Sequence, residues 1–420
     1  MIVAVVGLGY VGAPLAVELG KHGRVIGFDI NEDRVMQLKE CFDHTGEIVK
    51  AELVASNIQY TTDPADLKDA DVIIVTVPTP VAEANVPDLT AVKLATTMVA
   101  TYMKKDTTIV FESTVYPGVT EEICVPILEK NSKFKWKKSF WVGYSPERIN
   151  PGDRIHTLTS TTKIISGDCD KTLELLDEVY SQVTQTYRAA SIKVAEAAKV
   201  IENTQRDVNI ALMNELSQIF NKLGVDTNDV IDAAASKWNF QPFRPGLVGG
   251  HCISVDPYYL SHKAATQGFI ADVILASREV NDSMASFVVN QLIMSMAKAQ
   301  MLGKNAIVTI LGCTFKENVT DIRNSKVFDI IRLLEPYGIR VQLVDTHADA
   351  QEVTREYGVE LNPELIVPAD AIIVAVPHDD MAATWEDVLP YGKTGVIVVL
   401  DLKAKLDRNS QPRNVELWRP

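Results

Sequence analysis

The first thirty residues of this chain restrict its fold more than any other stretch. Residues 2–6 form a continuous apolar run rich in β-branched side chains, which is typical of a strand buried on both faces of a parallel sheet. Residues 7–12 read G-L-G-Y-V-G, and a helical pattern to about His22 leads to a second strand pattern at residues 24–28. This order of strand, glycine turn, helix and strand predicts a doubly wound α/β domain.

The glycines of this turn are spaced as in a dinucleotide-binding loop. Gly7 would make the tight turn, Gly9 would let the backbone approach a pyrophosphate, and Gly12 would permit close packing of the helix. Asp29 follows the second strand near the offset expected for a ribose-binding carboxylate, which favours NAD over NADP. Arg34 weighs against that preference, because a nearby arginine can accommodate a 2′-phosphate.

Two further strand patterns bring hydroxyl groups to the same predicted sheet edge. Residues 71–77 lead to Thr79, and residues 108–111 lead to Thr114. In open α/β sheets a ligand lies outside the carboxyl ends of the strands, so both side chains are candidate cofactor contacts. A plain turn or capping role is the alternative for each.

A third strand pattern, at residues 140–143, precedes an adjacent carboxylate and guanidinium. The strand would deliver Glu147 and Arg148 to the same edge. Glu147 is either a general base or a surface carboxylate that pairs with Arg148, and the sequence leaves both interpretations open.

Composition narrows the classes of function. At 420 residues the chain exceeds what one core usually supports, so two or three domains are expected. A net charge of −14 argues against nucleic-acid binding, which depends on clustered Lys and Arg. With no basic leader and no membrane-length apolar stretch, we expect a cytoplasmic protein without membrane contact. The five cysteines lack C-x-x-C spacing, which argues against a disulfide framework and against a bound metal.

One long helix is predicted over residues 191–223, and a second helical region over residues 269–302. On the first helix Lys199, Asn203 and Arg206 recur at i, i+4 and i+7 and would share a face, either as a functional cluster or as a solvated stripe supported by Glu202. The residues expected on its apolar face are Val194, Ala198, Ile201, Val208, Ala211, Leu212, Leu216, Ile219 and Phe220.

The last third of the chain repeats its opening. Residues 306–312, 340–345 and 369–377 echo three strands of the first domain, which predicts a second doubly wound domain. The glycine fingerprint is absent from this repeat, so a second dinucleotide is not expected. Lys316 follows the first of these strands and suits a phosphate of another nucleotide, and Arg323 adds a cation in the same loop.

A cysteine follows a pair of glycines in the middle of the chain. Gly249 and Gly250 would let a ligand approach the sulfur of Cys252, and Asp256 could return to the same site. We interpret Cys252 as a nucleophile. The alternative is a buried free cysteine that acts as a small hydrophobe.

Six motifs in this order resemble the UDP-glucose/GDP-mannose dehydrogenase family, the nucleotide-sugar 6-dehydrogenases. They are G-x-G-x-x-G, S-T-V-x-P-G at 113–118, S-P-E-R at 145–148, K-x-x-x-N at 199–203, G-G-x-C-x-x-x-D at 249–256, and F-K at 315–316 followed by D-x-R-x-S at 321–325. The P-E-R sequence and His251 are most similar to bacterial UDP-N-acetylglucosamine and UDP-N-acetylgalactosamine 6-dehydrogenases. A second Glu of the UDP-glucose branch is replaced by N-P-G at residues 150–152.

The resemblance implies an α/β fold with two Rossmann-like doubly wound domains joined by a central long-helix domain. The NAD-binding domain would span residues 1–190. A helical dimerisation domain with the cysteine loop would span residues 191–302, and a UDP-sugar-binding domain would span residues 303–420. The long helix would be the core of a homodimer.

The resemblance also implies a two-step oxidation of a sugar C6 alcohol to a carboxylate by two NAD⁺, in the synthesis of surface polysaccharides. Cys252 would trap the aldehyde, and Glu147 would activate water against the thioester. Lys199 and Asn203 would stabilise the oxyanion, and Asp256 would hold the water network with Thr114 beside it.

The ligand contacts carried over by the resemblance fall in all three predicted domains. The implied NAD contacts are Gly7, Gly9, Tyr10, Val11, Gly12, Asp29, Arg34, Thr79, Thr114 and Arg323, the last reaching across from the final domain. The implied UDP-sugar contacts are Glu147, Arg148, Lys199, Asn203, Arg244, Gly249 and Lys316, of which Arg244 can come from a partner subunit.

Two rival functions are compatible with parts of the sequence. A β-hydroxyacid dehydrogenase also joins a Rossmann domain to a long helix with Lys and Asn, but it needs neither Cys252 nor a third domain. A non-catalytic NAD-binding sensor would not need the reactive side chains. UDP-glucose remains an alternative substrate.

Overall fold

The computed structural model describes residues 1–82, 85–149, 157–303 and 305–420. The N-P-G sequence at residues 150–152, on which the distinction from the UDP-glucose branch rests, lies outside the described residues. The strands are β1 Val3–Val6, β2 Val25–Phe28, β3 Ile58–Thr61, β4 Val72–Val75, β5 Thr107–Phe111, β6 Phe140–Tyr144, β7 Lys163–Gly167, β8 Thr186–Arg188, β9 Ile307–Leu311, β10 Arg340–Val344, β11 Ala371–Val374, β12 Ile397–Asp401 and β13 Val415–Trp418.

Helices alternate with the strands of both sheets, and the two longest helices fall between the two sets of strands in the sequence. The helices are α1 Gly12–Gly20, α2 Glu32–Lys39, α3 Lys50–Ala55, α4 Thr90–Tyr102, α5 Val125–Asn131, α6 Asp170–Tyr180, α7 Ile192–Leu223, α8 Thr227–Ala235, α9 Asp256–Thr266, α10 Asp272–Lys298, α11 Val327–Leu334, α12 Ala350–Tyr357 and α13 Trp385–Val388. The chain divides into two compact units, Met1–Glu202 with Tyr258–Ile270, and Asn203–Pro257 with Ala271–Pro420.

The first unit contains a sheet whose described strands have the order β3-β2-β1-β4-β5-β6-β7-β8. The strands from β3 to β6 are parallel, whereas β6 and β7 are antiparallel. Every residue of β1 and β4 is buried, because both faces of a doubly wound sheet are covered. Val6 is opposite Phe28 and Val75, so the carboxyl ends of these strands form one edge.

The second unit contains a parallel sheet whose described strands have the order β10-β9-β11-β12-β13. Ile310 of β9 is opposite Leu343 and Ile373, and helix α10 packs on the same core through Val288, Leu292 and other apolar residues. The predicted repeat is therefore confirmed. Both doubly wound domains and the long helix agree with the predicted fold class.

Helix α7 has the predicted length, but its buried face is not the predicted apolar one. Lys199 and Asn203 are each 8% exposed, so a solvated stripe is the wrong description of them. Arg206 is exposed and does not join them. Among the nine residues expected on the apolar face, Ala211 is buried, whereas the exposed ones are Val194, Ile201, Leu212 and Ile219. The helix thus turns a largely polar face inward and leaves an apolar stripe outside.

Candidate active site

The glycine loop of the first unit has the geometry of a phosphate cradle. Gly7 has a φ of +96°, a conformation that side chains rarely adopt, and its N–H donates to Phe28 O at 2.9 Å. A Cβ atom on Gly12 would lie 1.8 Å from Gly7 O, whereas a Cβ on Gly9 would meet nothing within 4 Å. Gly7 and Gly12 therefore permit the turn and the packing. Gly9 faces open space at the start of α1, and its contact with a pyrophosphate stays a prediction.

Asp29 and Arg34 both hold this loop. Asp29 accepts the N–H of Leu8 at 2.7 Å on Oδ2 and that of Asn31 at 2.9 Å on Oδ1. Arg34 is 4% exposed, and it donates to Leu8 O and to the buried Asp43, each at 2.7 Å. The Asp43 carboxylate neutralises the guanidinium, and Arg34 supports the loop. Arg34 is therefore a weaker argument for NADP over NAD than its position in the sequence suggested.

Thr79 and Thr114 follow their strands as predicted and are half-exposed. Thr79 is held by a contact that the sequence did not suggest. The completely buried Tyr259 donates its hydroxyl hydrogen to Thr79 O at 2.7 Å. Tyr259 lies 180 residues further along the chain, so no local pattern could have indicated this pairing.

Glu147 lies in a buried ionic cluster rather than at the surface. Its Oε2 atom is 2.9 Å from Lys163 Nζ, and Lys163 is 2.8 Å from Glu112 Oε2. Arg148 instead pairs with Glu202 at 2.8 Å. The predicted alternative of a surface Glu147–Arg148 ion pair is therefore wrong, as is the Glu202–Arg206 support of a solvated stripe, because Lys163 supplies the cation for Glu147 and Arg148 takes Glu202.

The charges of this cluster favour an ionised Glu147. Burial alone would raise the pKa of Glu147, but Lys163 and the backbone N–H groups of Arg148 and Ile149, at 2.6 and 2.8 Å, lower that pKa overall. Burial raises the pKa of Glu112, which also accepts a hydrogen bond from the hydroxyl of Tyr180. An ionised carboxylate in this position, with its side chain 11% exposed, is compatible with a general base.

Cys252 and Asp256 lie one helical turn apart in the second unit. The carbonyl of Cys252 accepts the N–H of Asp256 at 2.8 Å, so both residues share a face at the start of α9. Asp256 is 3% exposed and accepts from Asn203 Nδ2 at 2.5 Å. Cys252 is half-buried, whereas Cys124 and Cys313 are completely buried, so the alternative of a buried, inert Cys252 is not what the structure shows.

The two glycines before Cys252 make room for protein rather than for a ligand. A Cβ on Gly249 would lie 2.6 Å from Asn324 O, and a Cβ on Gly250, which has a φ of +79°, would lie 2.9 Å from the Phe315 ring. Asn324 Nδ2 donates to Gly250 O at 3.0 Å. The cysteine loop is thereby packed against the segment that carries the F-K and D-x-R-x-S motifs.

A cavity of about 390 Å³ opens in the second unit beside these loops. Its lining includes Arg244, Lys403 and Lys405 as cations, and Glu317 and Asp379 as carboxylates. The sequence prediction identified Arg244 but missed both lysines. Their signal was their position after β12, because ligands bind at the carboxyl ends of parallel strands.

The other predicted cations each have a contact within the protein. Arg323 pairs with Asp321 at 2.6 Å, and Arg244 forms an ion pair with Asp232. Lys316 Nζ lies 5.5 Å from the centroid of the Phe315 ring. Contacts of these side chains with NAD or with a UDP-sugar stay predictions.

Comparison with known proteins identifies the class to which this fold and these residues belong. Residues 1–184 match the NAD binding domain, residues 193–283 the central domain, and residues 309–408 the UDP binding domain of the UDP-glucose/GDP-mannose dehydrogenase family. The chain belongs to this family, and NAD is its cofactor.

Individual relatives narrow the comparison. The chain is 50% identical over 412 residues to the UDP-N-acetyl-D-glucosamine 6-dehydrogenase of Pseudomonas aeruginosa, covering 97% of each chain. It is 49% identical to protein CapL of Staphylococcus aureus, covering 99% of each. A solved UDP-D-ManNAc dehydrogenase from Pyrococcus horikoshii superimposes with a TM-score of 0.89 at 27% identity, covering 100% of this chain and 99% of the other. In the part of the chain that the structure describes, every helix is too short or too polar to span a bilayer.

Proposed function

We propose that this chain oxidises the C6 hydroxyl of a UDP-N-acetylhexosamine, UDP-N-acetylglucosamine in the first place, to the carboxylate. The conversion of R–CH₂OH and water to R–COO⁻ removes four electrons, which two NAD⁺ accept as two hydrides, and three protons are released. Two relatives with this activity in their names, one of them 50% identical with 97% of each chain covered, support this substrate over UDP-glucose.

The second unit would supply the nucleophile. Cys252 would add to the C6 aldehyde left by the first oxidation and form a thiohemiacetal, and the second oxidation would convert it to a thioester. Covalent attachment divides a difficult reaction into easier steps and retains the aldehyde. Asn203, held by Asp256 at 2.5 Å, and Lys199, one turn earlier on α7, would stabilise the oxyanion of each tetrahedral species.

The first unit would supply the base and the cofactor loop. Glu147, ionised beside Lys163, would take the proton from the water that hydrolyses the thioester. Thr114 and Thr79 would contact ligands at the edge of the sheet, and the open space at Gly9 would accept the pyrophosphate of NAD⁺.

The observation that carries the proposal is the turn that places half-buried Cys252 on the face of buried Asp256. A single-hydride hydroxyacid dehydrogenase has no use for a thiol in that place, and a binding protein has no use for the Asn203–Asp256 pair beside it.

The deciding experiment measures NADH formed per sugar consumed. Limiting UDP-N-acetylglucosamine, UDP-N-acetylgalactosamine, UDP-N-acetylmannosamine and UDP-glucose are each incubated with excess NAD⁺. We expect two NADH per UDP-N-acetylglucosamine and a uronate product. Cys252→Ala should abolish the uronate while NAD⁺ binding persists, and Cys169→Ala, at an exposed cysteine, should change neither.

Other stoichiometries separate the rivals. One NADH per sugar would indicate a single-hydride enzyme, and no turnover with any UDP-sugar alongside normal NAD⁺ binding would indicate a sensor. Faster turnover of another UDP-sugar would leave the proposed reaction unchanged and would identify that sugar as the substrate.

We further propose a cytoplasmic homodimer assembled through α7. Its exposed apolar residues Val194, Ile201, Leu212 and Ile219 recur at spacings close to whole helical turns and face away from buried Lys199. The division at residues 1–190, 191–302 and 303–420 into NAD, dimer and UDP-sugar domains is part of the same proposal, as is a role in polysaccharide synthesis.

A further inference from the structure

The second sheet repeats the supporting contacts of the dinucleotide loop. In the first unit Gly7 N donates to Phe28 O at 2.9 Å, and Asp29 accepts from Leu8 N at 2.7 Å. In the second unit Gly312 N donates to Val344 O at 2.8 Å, and Asp345 accepts from Cys313 N at 2.6 Å. Asp345 thus supports its turn as Asp29 supports the dinucleotide loop.

The two carboxylates differ in what covers them. Asp29 is half-exposed, whereas Asp345 is 1% exposed and lies 3.1 Å from Nε2 of the completely buried His378. His378 follows β11 in the sequence V-P-H, where the first unit has V-P-T with Thr79 after β4. The position that corresponds to Thr79, a predicted cofactor contact, is therefore occupied in the second unit by a buried imidazole that points back into the protein.

The other nitrogen of His378 holds a loop. The backbone N–H of Asn318 donates to His378 Nδ1 at 2.9 Å, so Nδ1 is the unprotonated nitrogen and Nε2 donates to Asp345. Asn318 Nδ2 donates to Asp379 at 2.9 Å, and Asp379 N donates to Asn318 Oδ1 at 3.0 Å. These bonds clamp the loop after β9 to the loop after β11.

Both clamped loops reach the cationic cavity. Glu317 on one side, and Pro377 and Asp379 on the other, line it immediately next to Asn318 and His378. Within the first loop Thr314 Oγ1 donates to Lys316 O at 2.8 Å and fixes the backbone of the predicted phosphate-binding lysine.

We propose that His378 is a positioning residue for the nucleotide diphosphate, acting through the loop of residues 314–318. It connects the buried carboxylate of Asp345 to the backbone of Asn318 and thereby sets one wall of the cavity. The inference rests on the proposed function, because it takes UDP as the ligand of this cavity.

The test separates the two hydrogen bonds of the imidazole. In His378→Asn the amide oxygen replaces Nδ1 and can still accept from Asn318, whereas in His378→Gln the amide nitrogen replaces Nε2 and keeps only the bond to Asp345. The control is His347→Gln, since that ring stacks on His378 at 4.3 Å but its Nε2 faces Asp380 and not the loop. Each variant is assayed for UDP binding by calorimetry, for KM of the UDP-sugar and of NAD⁺, and for kcat.

We expect His378→Gln to raise the Kd of UDP and the KM of the UDP-sugar about tenfold, equivalent to about 1.4 kcal/mol. The KM of NAD⁺ and kcat should stay within about twofold, and His378→Asn and His347→Gln should stay near wild type. Asn318→Ala, at an exposed residue, removes the Asp379 half of the clamp and should raise the same KM about threefold, which keeps the test available if His378→Gln does not fold.

Two results would overturn the inference and are distinguishable. If wild type binds UDP and both His378→Gln and Asn318→Ala bind it with the same affinity, the proposed function stands and His378 has no positioning role. Wild type that binds no UDP removes the proposed function itself, and the inference with it.

Discussion

Lys163 is the side chain on which the candidate general base depends most directly. It is 3% exposed between Glu112 and Glu147, at 2.8 and 2.9 Å. The two carboxylates are 51 and 16 residues from it in sequence, so a lysine at the start of β7 gives no local sign of its partners. The motif at residues 145–148 indicated Glu147 as a candidate general base, but nothing in the sequence indicated Lys163 as the cation that keeps it ionised.

Loss of Lys163 should be costly, because it leaves the buried Glu112 and the largely buried Glu147 without their cation. We expect Lys163→Met to lower the free energy of unfolding by about 3–5 kcal/mol, measured by urea denaturation. Adding Glu112→Gln should restore part of the loss. Lys105→Met, at an exposed lysine, is the control and should change stability by less than about 0.5 kcal/mol; a similar effect in both single variants would contradict the buried pairing.

Glu196 gives the molecule a specific dependence on pH. It is completely buried on α7 and accepts the N–H groups of Gly118 at 2.5 Å and Thr120 at 2.9 Å. Burial raises its pKa from 4.5 to about 7. The folded state therefore keeps a proton that the unfolded state loses, so the contribution of this group is complete below pH 4.5 and declines as the pH rises through about 7.

This prediction is measured as a difference between two proteins. The unfolding free energy of wild type minus that of Glu196→Gln should fall by on the order of 3 kcal/mol between pH 4.5 and pH 7.5, with other titrating groups cancelling. A difference that stays constant or rises over this range would show that Glu196 is ionised throughout.

At the scale of elements, period and turn chemistry predicted both long helices and eight of the thirteen described strands, because β-branched runs and helical spacing depend on local sequence. The buried face of α7, in contrast, was predicted wrongly. Amphipathicity indicates that an apolar stripe needs a cover, but not what covers it. In this structure the face with Lys199 and Asn203 is buried, and Asn203 donates to Asp256 from a distant segment, whereas Leu212 is exposed.

The exposed stripe of α7 predicts an effect on assembly. Leu212→Asp places a charge in the proposed dimer contact and should convert the protein to monomers in analytical ultracentrifugation. Arg206→Asp introduces the same side chain at an exposed position on the opposite side of the helix and should leave the dimer intact. A wild-type protein that is already monomeric, or a Leu212→Asp variant that remains dimeric, would place the contact elsewhere or remove it.

At the scale of the whole molecule, a chain with a net charge of −14 must concentrate its cations to bind anionic ligands. The cavity of the second unit does so with Arg244, Lys403 and Lys405. The family resemblance implied Arg244 and Lys316 as UDP-sugar contacts. Lys403 belongs to none of the six motifs, and it lies at the cavity because β12 ends there.

We expect loss of Lys403 to weaken binding of the nucleotide sugar alone. It lines the cavity and pairs there with Glu317 at 3.2 Å, so a diphosphate bound in the cavity would lie near its ammonium group. Lys403→Met should raise the KM of the UDP-sugar about tenfold, since hydrogen bonds to charged groups contribute about 1.5–3 kcal/mol. Lys393→Met, at the opposite end of β12 and paired with Asp370, should leave this KM unchanged; equal effects would assign the change to general charge.

The glycine pair before Cys252 has a consequence for how such enzymes can be recombined. Gly249 and Gly250 have no space for a side chain because Asn324 and Phe315 occupy it. A donor sequence that brings a different cysteine loop must therefore bring its own partner segment. Chimaeras that exchange substrate preference between relatives should take residues 246–257 and 312–326 from the same parent protein. Chimaeras that take the two segments from different parents should fold poorly.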